Sequence, residues 1–252
     1  MSSIDVEAGV AVLVPQWPAP AAVRAAFTLR AGGVSAAPYD SLNLGTHVGD
    51  GAAAVAENRR RVRRQLQLPQ EPAWLEQVHG SDVADVDAPA GAPARADAAL
   101  ARRAGRVCAV QVADCLAVLL AARDASAVAV AHAGWRGLAA GVLEATVAAL
   151  GGAAGDLIAW LGPAISQPHF EVGAEVRDAF IARDPGASGA FTANARGRWQ
   201  CDLAALARRR LGALGVTAIS GGSWCTYADP ARCFSFRRDG RCGRMAALIW
   251  LS

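Results

Sequence analysis

The chain has 252 residues, 53% of them apolar and 19% charged, with a net charge of +3; this excludes intrinsic disorder and supplies enough apolar mass to bury a core. All 25 cationic residues are arginine, which excludes Schiff-base lysine chemistry, a lysine general base and a lysine-type phosphate loop. The longest apolar run, Val107–Ala122, is interrupted by Gln111 and Asp114 and falls short of the roughly 18–20 clean residues of a membrane span.

The opening segment carries Asp5 and Glu7 and no cation, so it does not read as an export or transit signal. Short apolar runs then predict strands at Val10–Val14, Ala25–Leu29, Trp74–Val78, Val83–Val86, Ala98–Leu100, Val107–Val112, Ala117–Ala121, Ala127–Ala131, Leu157–Leu161, Arg198–Cys201, Val216–Ile219 and Ala246–Leu251. The central ones are apolar on consecutive residues, as expected of strands covered on both faces. Helical spacing predicts helices at Asp50–Leu68, Trp135–Leu150, Glu171–Arg183 and Asp202–Leu211. The first has an Asp at its start and a Pro after its end, and the second stops at Gly151-Gly152. Ala88–Ala96, rich in Ala and Pro, reads as a loop, and no repeat or linker divides the chain. Many strands with a few helices out of strict alternation indicate one α+β domain over residues 1–252, built on mixed sheets.

Three segments place polar side chains at the ends of apolar strands. They are Glu76-Gln77-Val78-His79-Gly80, Val112-Ala113-Asp114-Cys115 and Ala129 to Gly137, which contains His132 and Arg136. A polar group there is costly unless something pairs with it. If the strand ends converge, His79, Cys115 and His132 form a two-nitrogen, one-sulfur set. Three protein ligands with one open position is the pattern of a catalytic zinc. Taken singly, each of these residues also fits a hydrogen-bonded or apolar core position. His169-Phe170-Glu171 mimics the H-x-E of nucleobase deaminases but lacks the downstream P-C-x-x-C. The six cysteines contain no C-x-x-C pair and read as thiols of a cytoplasmic protein. The arginines are dispersed, so neither nucleic acid nor membrane is expected as a partner. A Gly-rich loop, Asn43 to Asp50, leads into a helix bearing Asn58 and Arg59, and Arg237-Arg238 precede a turn; both are places where an anion could bind.

Taken together, NLGTHVGD…ENRR, LEQVHG, VADC, AHAGWRGLAAGV, LGPAISQPHFEVGAEV and CFSFRRDGRCGRMAALIWL resemble the YfiH-type family. That family was long labelled multicopper polyphenol oxidase (laccase), and its members are now regarded as purine nucleoside phosphorylases with adenosine deaminase activity. The resemblance runs from about Asn43 to Leu251 and implies a four-layer α/β/β/α sandwich. It implies a zinc on His79, Cys115 and His132. It also implies phosphorolysis of adenosine, inosine, guanosine or methylthioadenosine, and hydrolytic deamination of adenosine. Asn43, Arg59, Gln77, Arg136, Arg237 and Arg238 are the expected substrate contacts, with Arg59, Arg136 and Arg237 the candidates for phosphate. Asp114 is the expected proton shuttle or an orienting carboxylate; it can share the site with Cys115 only if the chain turns there. Phe236 and Cys242 depart from the family pattern, where His or Tyr and Thr are expected.

The rival readings use the same residues. Four histidines cannot furnish the copper cluster of a laccase, although one copper could occupy the triad adventitiously. Cys115 with His132 or His79 could instead serve a cysteine hydrolase, and some relatives have been linked to editing of peptidoglycan precursors. A non-catalytic metal- or nucleoside-binding protein is a further alternative. Monomer and homodimer are both compatible with the sequence.

Overall fold

The computed structural model describes the backbone of residues 3–5 and the whole of residues 9–88 and 92–252. The expected loop Ala88–Ala96 lies partly outside these residues, as does most of the opening segment. The strands are β1 (Ser3–Asp5), β2 (Val12–Val14), β3 (Val23–Thr28), β4 (Val83–Asp85), β5 (Ala98–Ala101), β6 (Val107–Val112), β7 (Leu116–Ala122), β8 (Val128–Ala133), β9 (Leu157–Leu161), β10 (Glu171–Val172), β11 (Phe191–Ala193), β12 (Trp199–Cys201), β13 (Ala218–Gly221) and β14 (Met245–Leu251). The helices are α1 (Ala52–Gln65), α2 (Trp135–Ala140), α3 (Val142–Leu150), α4 (Ala174–Ile181), α5 (Leu203–Ala213) and α6 (Phe236–Asp239).

Two large sheets carry the fold. One runs β1-β2-β3-β14-β6 with antiparallel pairings. The other runs β13-β9-β7-β8-β5-β4 and is mixed, with β13 parallel to β9 and β4 parallel to β5. Period-two alternation sorts β7 between two layers. Leu116, Val118 and Leu120 meet the helix layer, including Leu138 of α2, Leu143 of α3, Phe180 of α4 and Leu206 of α5. Ala117, Leu119 and Ala121 face the other sheet, packing with Phe27, Val110, Ala247 and Ile249. The outer face of the first sheet is covered by the Leu42–Leu44 segment and Val62 of α1. The result is the expected four-layer α/β/β/α arrangement.

The structure corrects several expected elements. The helix expected at Trp135–Leu150 is two helices, because Gly141 sits at φ +102° between them, a conformation that glycine adopts without strain. The helix expected from Glu171 begins at Ala174, since Glu171–Val172 pairs with β12 instead. The expected strand Trp74–Val78 makes one isolated bridge, Glu76 with Arg95, and a second, Ala73 with Cys108, lies just before it. The short strand β11 and the one-turn helix α6 carry no periodicity that would reveal them.

Candidate functional site

The link from β6 to β7 carries the chain from one sheet to the other within three residues, Ala113–Cys115. Such a tight crossing needs a backbone reversal, and Asp114 supplies it at φ +85°. Cys115 is thereby delivered to the rim of the inter-sheet layer. His132, on β8, is in register with Ala117 and reaches the same rim. His79 arrives on a loop, itself at φ +61°. The ligand atoms of His79, Cys115 and His132 lie within 4.8 Å of one another.

One carboxylate holds this arrangement together. Asp97, fully buried just before β5, accepts from the backbone N–H groups of Val78, His79 and Gly80 at 3.1, 3.0 and 2.7 Å. It also meets His132 Nδ1 at 2.8 Å, so that Nε2 faces Cys115. Burial opposes ionisation of Asp97, but the His132 contact and the N–H of Gly80 hold it below the usual carboxylate range. Burial likewise opposes the Cys115 thiolate, yet His132 and His79 pull that thiol down to about 6. His132 is raised above its ordinary range: burial opposes the cation, but Cys115 and Asp97 outweigh it.

These features fit a metal. A soft thiolate and two imidazoles suit zinc, and a carboxylate behind a ligating histidine fixes its tautomer. Gly134 opens the space between the ligands, since a Cβ there would stand 2.8 Å from Cys115 Sγ and 3.5 Å from His132 Nε2. The triad is the only such cluster of His, Cys and acidic side chains among the described residues.

The triad sits in a cleft of about 470 Å³. Arg136, Arg237 and Arg244 line it, together with His47, Gln111, Trp135, Phe170 and Phe236. Arg136 leans over the Trp135 ring at 4.5 Å and makes no hydrogen bond among the described residues. Arg237 lies over Phe170 at 5.1 Å and donates to the Glu171 carbonyl at 2.7 Å. His47 is shifted down by burial and by Arg244 and Arg59 nearby.

Other expected contacts fall elsewhere. Asn43 is fully buried, and its amide joins Gly45, Asp50 and Arg244. Arg59 donates twice to the Leu44 carbonyl and stacks on Trp74 at 4.1 Å. Arg238 serves the carbonyls of Thr226, Tyr227 and Cys233 and pairs with Asp239. All three are absent from the cleft lining and brace the loops around it. Gln77 does line the cleft, but its carboxamide is spent on the backbone of Gln111, at 2.7 and 3.0 Å. Asp114 accepts from Thr226 Oγ1 at 2.6 Å, Ser235 Oγ at 3.0 Å and the Arg237 N–H at 2.7 Å. Asp114 does line the cleft, but its carboxylate is thus committed to fixing the start of α6, which bears Arg237.

Sequence reasoning missed Asp97, His47, Gln111 and Arg244. Asp97 had one legible signal, a lone acid directly before an apolar strand.

Comparisons with known proteins identify the family and the fold. A family model described as multi-copper polyphenol oxidoreductase laccase matches residues 24–252. A purine nucleoside phosphorylase of Pseudomonas aeruginosa is 54% identical over 95% of this chain and 98% of its own length. The purine nucleoside phosphorylase YfiH of Escherichia coli is 51% identical over the same shares. The crystal structure of Neisseria meningitidis NMB0706 superposes with a TM-score of 0.93 at 48% identity, covering 96% of this chain and 99% of that one. YlmD of Geobacillus stearothermophilus superposes at 0.90 with 33% identity, covering 100% and 99%. The chain belongs to this YfiH-type, laccase-labelled family.

Proposed function

We propose that the cleft is a metal-dependent purine nucleoside site that catalyses phosphorolysis to a free base and ribose 1-phosphate, and that also deaminates adenosine hydrolytically. The supporting observation is that one cleft joins a zinc-type ligand triad to three arginines and the exposed ring of Phe236. The names of the Pseudomonas aeruginosa and Escherichia coli relatives support the phosphorylase part of the reading. Zinc bound by His79, Cys115 and His132 would supply Lewis acidity and activate water at neutral pH.

The chain's own residues do the rest. Asp97 keeps His132 Nε2 and the His79 loop aimed at one point. Arg136, Arg237 and Arg244 offer guanidinium groups to a phosphate, for which the planar fork is well matched. Phosphate attacks C1′ of the ribose, the C1′–N9 bond breaks, and the purine departs with the bonding pair. Phe236, 56% exposed, offers a flat apolar face to the base. We assign Asp114 the orienting role, since its oxygens already serve three donors. No helix among the described residues is long and apolar enough to cross a membrane. The six free thiols fit a cytoplasmic enzyme.

A second reading has one observation in its favour. The Cys115–His132–Asp97 chain, with its lowered thiol, also resembles a nucleophile, base and orienter. Product analysis separates the two. Zinc-loaded protein should convert adenosine to adenine and ribose 1-phosphate only with phosphate present, and to inosine in either case. Absence of turnover, or thiol-hydrolase activity that survives chelation, contradicts the proposal.

A further inference from the structure

Gln111, at the end of β6, holds the one polar side chain in the cleft that is both deeply buried and without a partner. The residue is 6% exposed, and its Oε1 is buried with no hydrogen bond among the described residues. Its backbone is satisfied separately, because the Gln77 carboxamide accepts from the Gln111 N–H and donates to its carbonyl. The side-chain amide is therefore left over, and it lines the same cleft as the triad and the three arginines. Gly45 and Arg244 close in on it: a Cβ on Gly45 would stand 3.3 Å from Oε1 and 2.8 Å from Arg244 Cγ. A side chain at Gly45 would collide with Arg244 and crowd the amide, so the glycine is what lets both side chains pack at the cleft wall; the buried Oε1 acceptor there still lacks the partner that burial calls for.

The chemistry of the amide selects among the parts of the substrate. A carboxamide presents one acceptor beside one donor. Phosphate offers acceptors, and the arginines already serve it. The ribose-free edge of a purine around C6 presents a donor beside an acceptor: the amino group beside a ring nitrogen in adenine, N1–H beside O6 in hypoxanthine. Rotating the amide by half a turn matches either pair, as glutamine does when it reads adenine in nucleic acids. Accepting the purine nucleoside reading above, we propose that Gln111 is the specificity-determining residue of the cleft, reading the C6 edge of 6-amino and 6-oxo purines through its carboxamide.

The test is a set of specificity constants for phosphorolysis of adenosine, inosine and purine riboside, which lacks a C6 substituent. They are measured on wild-type zinc-loaded protein and on Gln111→Met, which keeps length and removes both hydrogen-bonding groups. Gln111→Ala is the second variant should the methionine disturb folding, and melting temperature and zinc content are checked for both. The expected result is a wild-type preference for adenosine and inosine over purine riboside, which falls by about tenfold or more in the variants. The KM for phosphate should stay within about twofold. Equal losses for all three nucleosides, or a loss confined to the phosphate KM, overturn the assignment while leaving phosphorolysis standing. Absence of phosphorolysis by the wild-type protein overturns both.

Discussion

The two walls of the cleft are built on different principles. The wall bearing the triad grows out of the central sheet: His132 lies on β8 and Cys115 directly precedes β7. A fully buried carboxylate ties both histidine-bearing segments together. The other wall is made of loops, the one-turn helix α6 and, for Arg136, the first turn of α2. Its arginines are exposed or half-buried and anchored through carbonyls or aromatic faces. The first wall fixes atoms to within hydrogen-bond tolerance, whereas the second leaves guanidinium groups free to follow a ligand. Electrophilic chemistry needs the former and gathering an anionic substrate can use the latter. Substitutions should accordingly act in an all-or-none way on the triad wall and by degrees on the arginine wall.

Substitution on the triad wall carries the largest expected effect. Cys115→Ala or His132→Ala should remove most bound zinc and reduce both nucleoside activities to background, with the circular dichroism spectrum unchanged. Asp97→Asn comes next. It keeps the shape of the side chain but withdraws the charge behind His132, and should weaken zinc binding about 10–100-fold, read by chelator competition. Smaller and graded losses should mark the other wall. Arg136→Ala and Arg244→Ala each remove a charge-assisted contact of about 1.5–3 kcal/mol, seen as a raised phosphate KM with zinc content intact. If either abolished zinc binding, the division between the walls would be wrong.

A chemical probe sharpens the same contrast. With metal stripped, the Cys115 thiol is drawn down to about 6, so its thiolate forms as pH rises through that value. Burial pushes Cys201 and Cys233 up to about 12 and raises Cys108 further. Alkylation should therefore reach Cys115 first, accelerate as pH is raised past about 6, and be suppressed by added zinc. The smallest effect belongs to a position outside both walls. Asp202 caps α5 by accepting from the Ala205 N–H at 2.9 Å. Asp202→Ala should cost about 1 kcal/mol of stability, measured by urea unfolding, with kcat/KM unchanged.

Legibility in the sequence followed the same division. Strand ends that break an apolar run with His or Cys announced the triad, because a polar residue there demands a partner. Asp97 supplies that partner for His132, yet a single acid among alanines in ARADAAL has no spacing that ties it to a histidine 35 residues on. On the arginine wall, Arg136 and Arg237 were legible through adjacency to motifs. Arg59 and Arg238 have the same chemistry but turn inward to loop carbonyls, and Asn43 is spent on Gly45, Asp50 and Arg244, choices set by tertiary packing. The core was easier to read. Consecutive apolar residues in β6 through β9 mark strands buried on both faces, whereas the break at Gly141 shows only as one glycine in a helical pattern.

In the proposed reaction the triad wall and the arginine wall act on one substrate. The direct measurement is inosine phosphorolysis by metal-stripped protein during stepwise addition of zinc, with ribose 1-phosphate and protein-bound zinc quantified in the same samples. The expected result is activity rising in proportion to occupancy and levelling at one zinc per chain, with no rise in Cys115→Ala. Full phosphorolysis by the stripped protein, or by metal-free Cys115→Ala, would contradict the account.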